Sequence, residues 1–229
     1  MEDSLYNSGL VALHSLFVGG FSLVALRLGK EAIGAWLALL AIFMNIFVLK
    51  QVTLFGLEVT CSDALSVGYL LSLNLAQEFF GRQFARRMVI TTLLITVASL
   101  ALAVIHLAYL PNSYDESQNH FAFLFQPMPR LIFASLLSFF IVQAFDMTLF
   151  SFLQKLTKGR FLAPRTMLTL CFSETLDTLL YSFLGLYDLV GNLPNVILFS
   201  LIVKGAVIGL SAPFVFLSKR WVRHESVSI

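Results

Sequence analysis

The chain has 229 residues, 58% of them hydrophobic and only 12% charged, with a formal net charge of +2 and a mean hydropathy of +0.86. A soluble domain carries about 25% charged residues to cover its exterior, so a water-soluble enzyme, a disulfide scaffold and a disordered tail are excluded. The low net charge also excludes a strong field for nucleic acid, and the remaining class is an all-α, polytopic integral membrane bundle.

A spanning helix needs about 20 mostly apolar residues. Seven stretches meet that length: 10–28, 32–51, 62–80, 88–110, 130–154, 166–187 and 195–217. They read as six core spans preceded by an additional N-terminal one. The first is not a signal peptide, because its leader Met1-Glu2-Asp3-Ser4 is acidic and its apolar run is too long. Basic residues test the count independently. Arg27 and Lys30 fall between the first and second spans, and Arg82, Arg86 and Arg87 between the third and fourth. Lys155, Lys158, Arg160 and Arg165 fall between the fifth and sixth, and Lys219, Arg220 and Arg223 follow the seventh. Twelve of the 15 basic residues therefore sit on alternate connections, while Asp115, Glu116 and Asp188 sit on the others. Lys and Arg collect in cytoplasmic loops, so the expected topology has the N-terminus outside and the C-terminus inside. The longest connection, 111–129, is polar and outside, and residues 1–229 read as a single membrane domain.

The informative residues are ionisable groups inside the spans, each of which costs at least a few kcal/mol there unless it faces the protein interior. These are Lys50, Glu78, Asp146, Glu174, Asp177 and Lys204. Gln143 and Asp146 are three apart and share a helix face; Glu174, Asp177 and Thr178, with Ser173 beside them, do the same, as do Asn74, Gln77 and Glu78. Three helices thus present a carboxylate next to an amide or hydroxyl, and a fourth presents the ammonium of Lys204. The bland alternatives are snorkelling for Lys50 and Glu78 and structural ion pairs for the rest. Acids outnumber bases, so a polar cavity near mid-membrane is expected. Carboxylates and amides suit the edge of a nucleobase, since a carboxylate accepts two adjacent N–H donors, and Phe172, Tyr181 and Phe183 could stack on a flat ring.

Other chemistries find no support. There is no Walker A, H-E-x-x-H or G-x-S-x-G sequence. Cys61 and Cys171 lie far apart, and the four histidines show no metal-ligand spacing. No cofactor and no metal are expected. In the seventh span, Gly205 and Gly209 permit close helix approach, and Pro213 would kink the helix.

The run from Asn74 through Gln77-Glu78 to Phe80-Gly81-Arg82, followed by Ala85-Arg86-Arg87, resembles the signature of the queuosine precursor transporter family, also called the vitamin uptake transporter family. Gln143 with Asp146 resembles that family's Q-x-x-D element. Arg165 to Ser173, with Asp177 and Thr178, resembles its R…S-Q-x-x-D-T element, and Asn45, Lys50, Lys204 and Pro213 also match in order. The resemblance covers roughly 40–218. Asn74 stands where the family more often has Asp, Glu174 where it has Gln, and Ser211 near a position that is often acidic.

The resemblance implies uptake of 7-deazaguanines (the nitrile and aminomethyl precursors, queuine or its nucleoside) for tRNA queuosine modification, in a bacterial inner membrane. On that basis Asp177 or Glu174 would take the ring NH and exocyclic amine. Gln143 and Asn74 would hold the carbonyl side, with Asp146 or Glu78 near a cationic substituent, and Lys50 and Lys204 would balance charge or gate access. The expected partners are a small-molecule substrate and the lipid bilayer, with a homodimer left open and no nucleic acid. Two other readings compete. A substrate-binding subunit of an energy-coupling-factor importer usually shows an A-x-x-x-A motif, which is absent from this chain. A non-transporting membrane scaffold would use its acids only to pair its lysines.

Overall fold

The computed structural model describes residues 2–54, 57–125, 128–187 and 193–222. Seven long helices form the bundle: α1 (Glu2–Leu28), α2 (Lys30–Phe47), α3 (Asp63–Phe80), α4 (Arg82–Leu107), α6 (Met128–Leu156), α7 (Leu162–Tyr181) and α8 (Leu193–Val222). A short α5 (Gln118–Phe125) lies in the connection between α4 and α6, and a π-helical turn (Ser182–Leu186) extends α7. The all-α membrane bundle expected from composition is the architecture observed, and each long helix takes up most of one of the seven apolar stretches.

Two connections are one residue long. Gly29 (φ 110°) joins α1 to α2, and Gly81 (φ 88°) joins α3 to α4. Both reverse the chain in backbone regions that L side chains rarely enter. The second span was expected to run to Gln51, but α2 stops at Phe47. Gln51–Leu54 (β1) instead pairs antiparallel with Leu57–Thr60 (β2), in the register Gln51↔Thr60 to Leu54↔Leu57. Val52, Thr53, Val59 and Thr60 are β-branched and favour this pleated hairpin over helix.

α3 sits in the middle, packed against α1, α2, α4, α6, α7 and α8. Its contact with α1 is close: a Cβ at Gly68 would lie 2.1 Å from Val18 Cγ1. A buried polar knot ties the neighbours together, with the Trp36 indole and the Ser72 hydroxyl both donating to Ser22 Oγ (2.9 and 2.8 Å). Five helices are apolar and long enough by composition alone to cross a membrane: α1, α2, α4, α6 and α8. The two that fall short, α3 and α7, carry the polar residues. α3 has protein on every side and therefore needs no continuous apolar surface, and α7 shows the exterior a stripe of Leu168, Phe172 and Leu179.

The basic connections share one end of the bundle. Arg27 lies over the Trp221 ring (5.3 Å) and Lys30 over the Phe80 ring (5.8 Å). Arg82 donates to Thr148 Oγ1 (3.2 Å), and Gln154 to Glu78 Oε2 (2.9 Å). At the opposite end Ser135 donates to Asn45 Oδ1 (2.8 Å), tying α6 to α2. In the polar connection before α5, the hydroxyl and amide of Ser117 both donate to Asp115 and hold its carboxyl below the ordinary range. Asp188 and Arg223 lie outside the described residues.

Candidate functional site

A polar column runs through the bundle between α3, α6, α7 and α8, and it has three levels. At the basic end, Glu78 of α3 receives hydrogen bonds from Gln154 of α6 and Arg165 of α7, and Arg165 also lies over the Phe150 ring at 4.7 Å. Beside them Gln77 Nε2 donates to Ser151 Oγ (2.9 Å) and to the Met147 carbonyl (3.3 Å). Arg165 is buried, with no exposed side-chain surface. The sequence count had placed it in a loop. It occupies the first turn of α7 instead, because an unpaired guanidinium is costly at that depth and Glu78 is the carboxylate within reach.

The middle level centres on Asp146, which has no exposed surface. Its Oδ1 accepts from Ser173 Oγ (2.7 Å) and from Asn74 Nδ2 (3.5 Å). Gln143 stands one turn away on the same face of α6 and is also buried. Asp146 Oδ2, Asn74 Oδ1 and Gln143 Oε1 are buried acceptors without a hydrogen-bond donor among the described residues.

The third level joins α7 to α8. Lys204 Nζ lies 2.8 Å from Glu174 Oε2 and 2.9 Å from Asp177 Oδ2. Ser66 of α3 donates to Glu174 at 3.0 Å. Glu174 is enclosed, whereas the Asp177 side chain is 26% exposed, so this level is reached from outside the core through Asp177. Thr178 Oγ1, one turn from Glu174, is buried without a partner among the described residues. The antiparallel run of α3 and α7 explains the layering, since Ser66 meets Glu174 at one end and Glu78 meets Arg165 at the other.

Residues 64–218 match the family model described as "Putative vitamin uptake transporter". The chain belongs to that family. Over 220 residues it is 27% identical to the "Probable queuosine precursor transporter" of Bacillus subtilis (strain 168), covering 93% of this chain and 91% of that protein. No solved structure matches the chain. The family match runs from α3 to α8 and so takes in the whole polar column.

Of the residues singled out in the sequence, Asn74, Gln77, Glu78, Gln143, Asp146, Ser173, Glu174, Asp177, Thr178 and Lys204 all line the column. Asn45 and Lys50 do not. Asn45 ties α2 to α6 and borders a separate cavity of about 360 Å³, whose wall includes Ile42, His106, Phe121 and Phe125. Lys50 is exposed at the start of the hairpin, because α2 ends before reaching it. Phe172 and Phe183 are more than half exposed on the outer surface and do not face the column. A Cβ at Gly205 or Gly209 would meet no other element within 4 Å, so neither glycine serves a close helix approach, and α8 continues through Pro213. Sequence reasoning missed Arg165 and Ser66 as members of the column. Ser66 shares a face with Asn74 and Gln77 at spacings of 8 and 11, and that periodicity is the signal that would have found it.

Proposed function

We propose that this chain imports queuosine precursors, 7-deazaguanine bases or their nucleoside, for tRNA modification. The observation that carries the reading is the partly open set of Glu174, Asp177 and Lys204. A guanine-type edge offers two adjacent N–H donors and a carbonyl acceptor. A carboxylate accepts both donors, and an ammonium donates to the carbonyl. Asp177 is the accessible acid, and among the described residues Lys204 alone holds it, so a substrate edge can take that place while Lys204 turns to the carbonyl. The carbonyl thereby falls to Lys204 in place of Gln143 and Asn74, which stand beside Asp146. Glu78 is held by Arg165 and Gln154 and serves as a closure of the basic end.

The relative's name supports cargo of this kind, and the family description supports uptake of a small molecule. With Arg27, Lys30, Arg82 and Lys219 at one end of the bundle, that end is cytoplasmic by the positive-inside tendency, and the C-terminus lies with it. The membrane is then the bacterial inner membrane. The scaffold reading has one observation in its favour: the buried cations Lys204 and Arg165 are both paired. The test of the cargo is to express the chain in a bacterium lacking its own importer and queuosine synthesis, and to measure queuosine in tRNA with each precursor supplied at low concentration. Queuosine should appear with at least one 7-deazaguanine. None appearing with any of them, despite normal membrane expression, would overturn the reading.

A further inference from the structure

The geometry points to a sodium-ion site at Asp146, with Asp146 Oδ2, Asn74 Oδ1 and Gln143 Oε1 as its oxygen ligands. Asp146 lies at the centre of the column with no exposed surface. Its Oδ1 is satisfied by Ser173 and Asn74, but its charge is not. Among the described residues no basic side chain forms a salt bridge with it, since Lys204 is taken by Glu174 and Asp177 and Arg165 by Glu78. A buried, uncompensated carboxylate is costly in any protein and more so inside a membrane.

The neighbouring amides sharpen the choice of ligand. Asn74 and Gln143 are 0% and 2% exposed, and each keeps an oxygen without a donor. Asp146 Oδ2 and one oxygen of each amide are thus three buried acceptors on adjoining turns of α6 and α3 that no donor among the described residues meets, and each unmet acceptor costs about 1–3 kcal/mol. A proton on Oδ2 would neutralise the charge but could donate to only one amide oxygen, leaving the other unmet. A water molecule would donate to two and leave the charge. A hard monovalent cation satisfies all three oxygens and cancels the single negative charge. One carboxylate with two neutral amides is poor in charge for Ca²⁺. Among the described residues no group of three His, Cys, Asp or Glu offers a transition-metal alternative.

The position of the site gives the ion a role. Ser173 donates to Asp146 and is the residue before Glu174 on α7. An ion that holds Asp146, Asn74 and Gln143 together fixes α6, α3 and α7 against each other, and so orders the Glu174–Asp177 pair. Sodium binding and cargo binding are then coupled, each raising the affinity for the other.

The test needs no cargo, so its failure would leave the proposed substrate untouched. Purified protein in detergent is unfolded thermally in choline chloride, potassium chloride and sodium chloride at matched ionic strength, and radiolabelled sodium binding is measured at equilibrium. The expected result is a saturable, sodium-specific rise in unfolding temperature, as for any ligand that binds only the folded state, with saturable binding of the label. Gln143→Leu should raise the sodium midpoint on the order of tenfold or more, and Asp146→Asn should remove the sodium response. Identical unfolding in the three salts, no saturable sodium binding, or a Gln143→Leu midpoint equal to the parent's would each overturn the site.

Discussion

Replacing Lys204 by Met removes one ammonium and keeps most of the stem that packs between α7 and α8. Glu174 and Asp177 then lose the only cation either one touches among the described residues. The two losses are unequal. Glu174 is 1% exposed and retains only the Ser66 hydroxyl, whereas Asp177 is 26% exposed and is partly rehydrated. Removing one partner of a buried pair costs about 3–5 kcal/mol, and nearly all of it falls on Glu174. For a chain of this length that corresponds to a fall of roughly 6–20 °C in unfolding temperature. The double variant Lys204→Met/Glu174→Gln removes the stranded charge. It should recover about half of that loss, a coupling on the order of 1–3 kcal/mol. Thermal unfolding in detergent reads the stabilities, and uptake of labelled queuine into cells reads the function. In a transporter, uptake is lost in both variants although stability returns in the double. An unchanged unfolding temperature in Lys204→Met would refute the buried pair, and full uptake by the double variant would establish these residues as scaffold.

Three further outcomes are expected. Arg165→Lys keeps the charge beside Glu78 but loses the planar group that lies over Phe150; it should destabilise the protein by about 1–2 kcal/mol in thermal unfolding, and Arg165→Gln by more, whereas equal stability of all three would remove the closure of the basic end. Gly68→Ala should cost about 1–3 kcal/mol by overpacking, because the new methyl would meet Val18; Val18→Ala in the same chain should restore the loss, and a neutral Gly68→Ala would show that α1 is not docked on α3. With Cys61 and Cys171 replaced, Ser113→Cys should react with an impermeant thiol reagent on intact cells and Arg160→Cys only after permeabilisation. The reverse pattern would invert the topology.

The helices were legible because lipid imposes an apolar length on each crossing, and the alternation of basic residues gave an independent phase. α3 and α7 were legible for a second reason: enough Leu and Phe surrounds their polar residues to keep the apolar stretch visible. The hairpin was not. Its strands fall in the connection between the second and third apolar stretches, where only the β-branched pairs Val52-Thr53 and Val59-Thr60 mark them. Lys50 was counted inside the second span because that stretch was read to residue 51, and the family resemblance added it to the site. In the column itself the spacing of Asn74, Gln77 and Glu78, and of Glu174 and Asp177, identified the right faces. Spacing within one helix carries no information on pairing between helices. That Lys204 would bridge Glu174 and Asp177, that Arg165 would leave the loop for Glu78, and that Asp146 would stand without a cation all depend on how α3, α6, α7 and α8 pack.

The most direct measurement is uptake of labelled queuine by proteoliposomes containing the purified chain, comparing the parent with Asp177→Asn. Asn keeps the shape of the side chain but offers one acceptor oxygen where the carboxylate offers two. Saturable uptake by the parent, with Asp177→Asn at or near the protein-free background and folding as the parent does, is the expected result. Equal uptake by the two proteins would contradict the assignment of Asp177 to the cargo. No uptake by the parent above protein-free liposomes, with sodium present on the outside, would contradict the transport of this cargo itself.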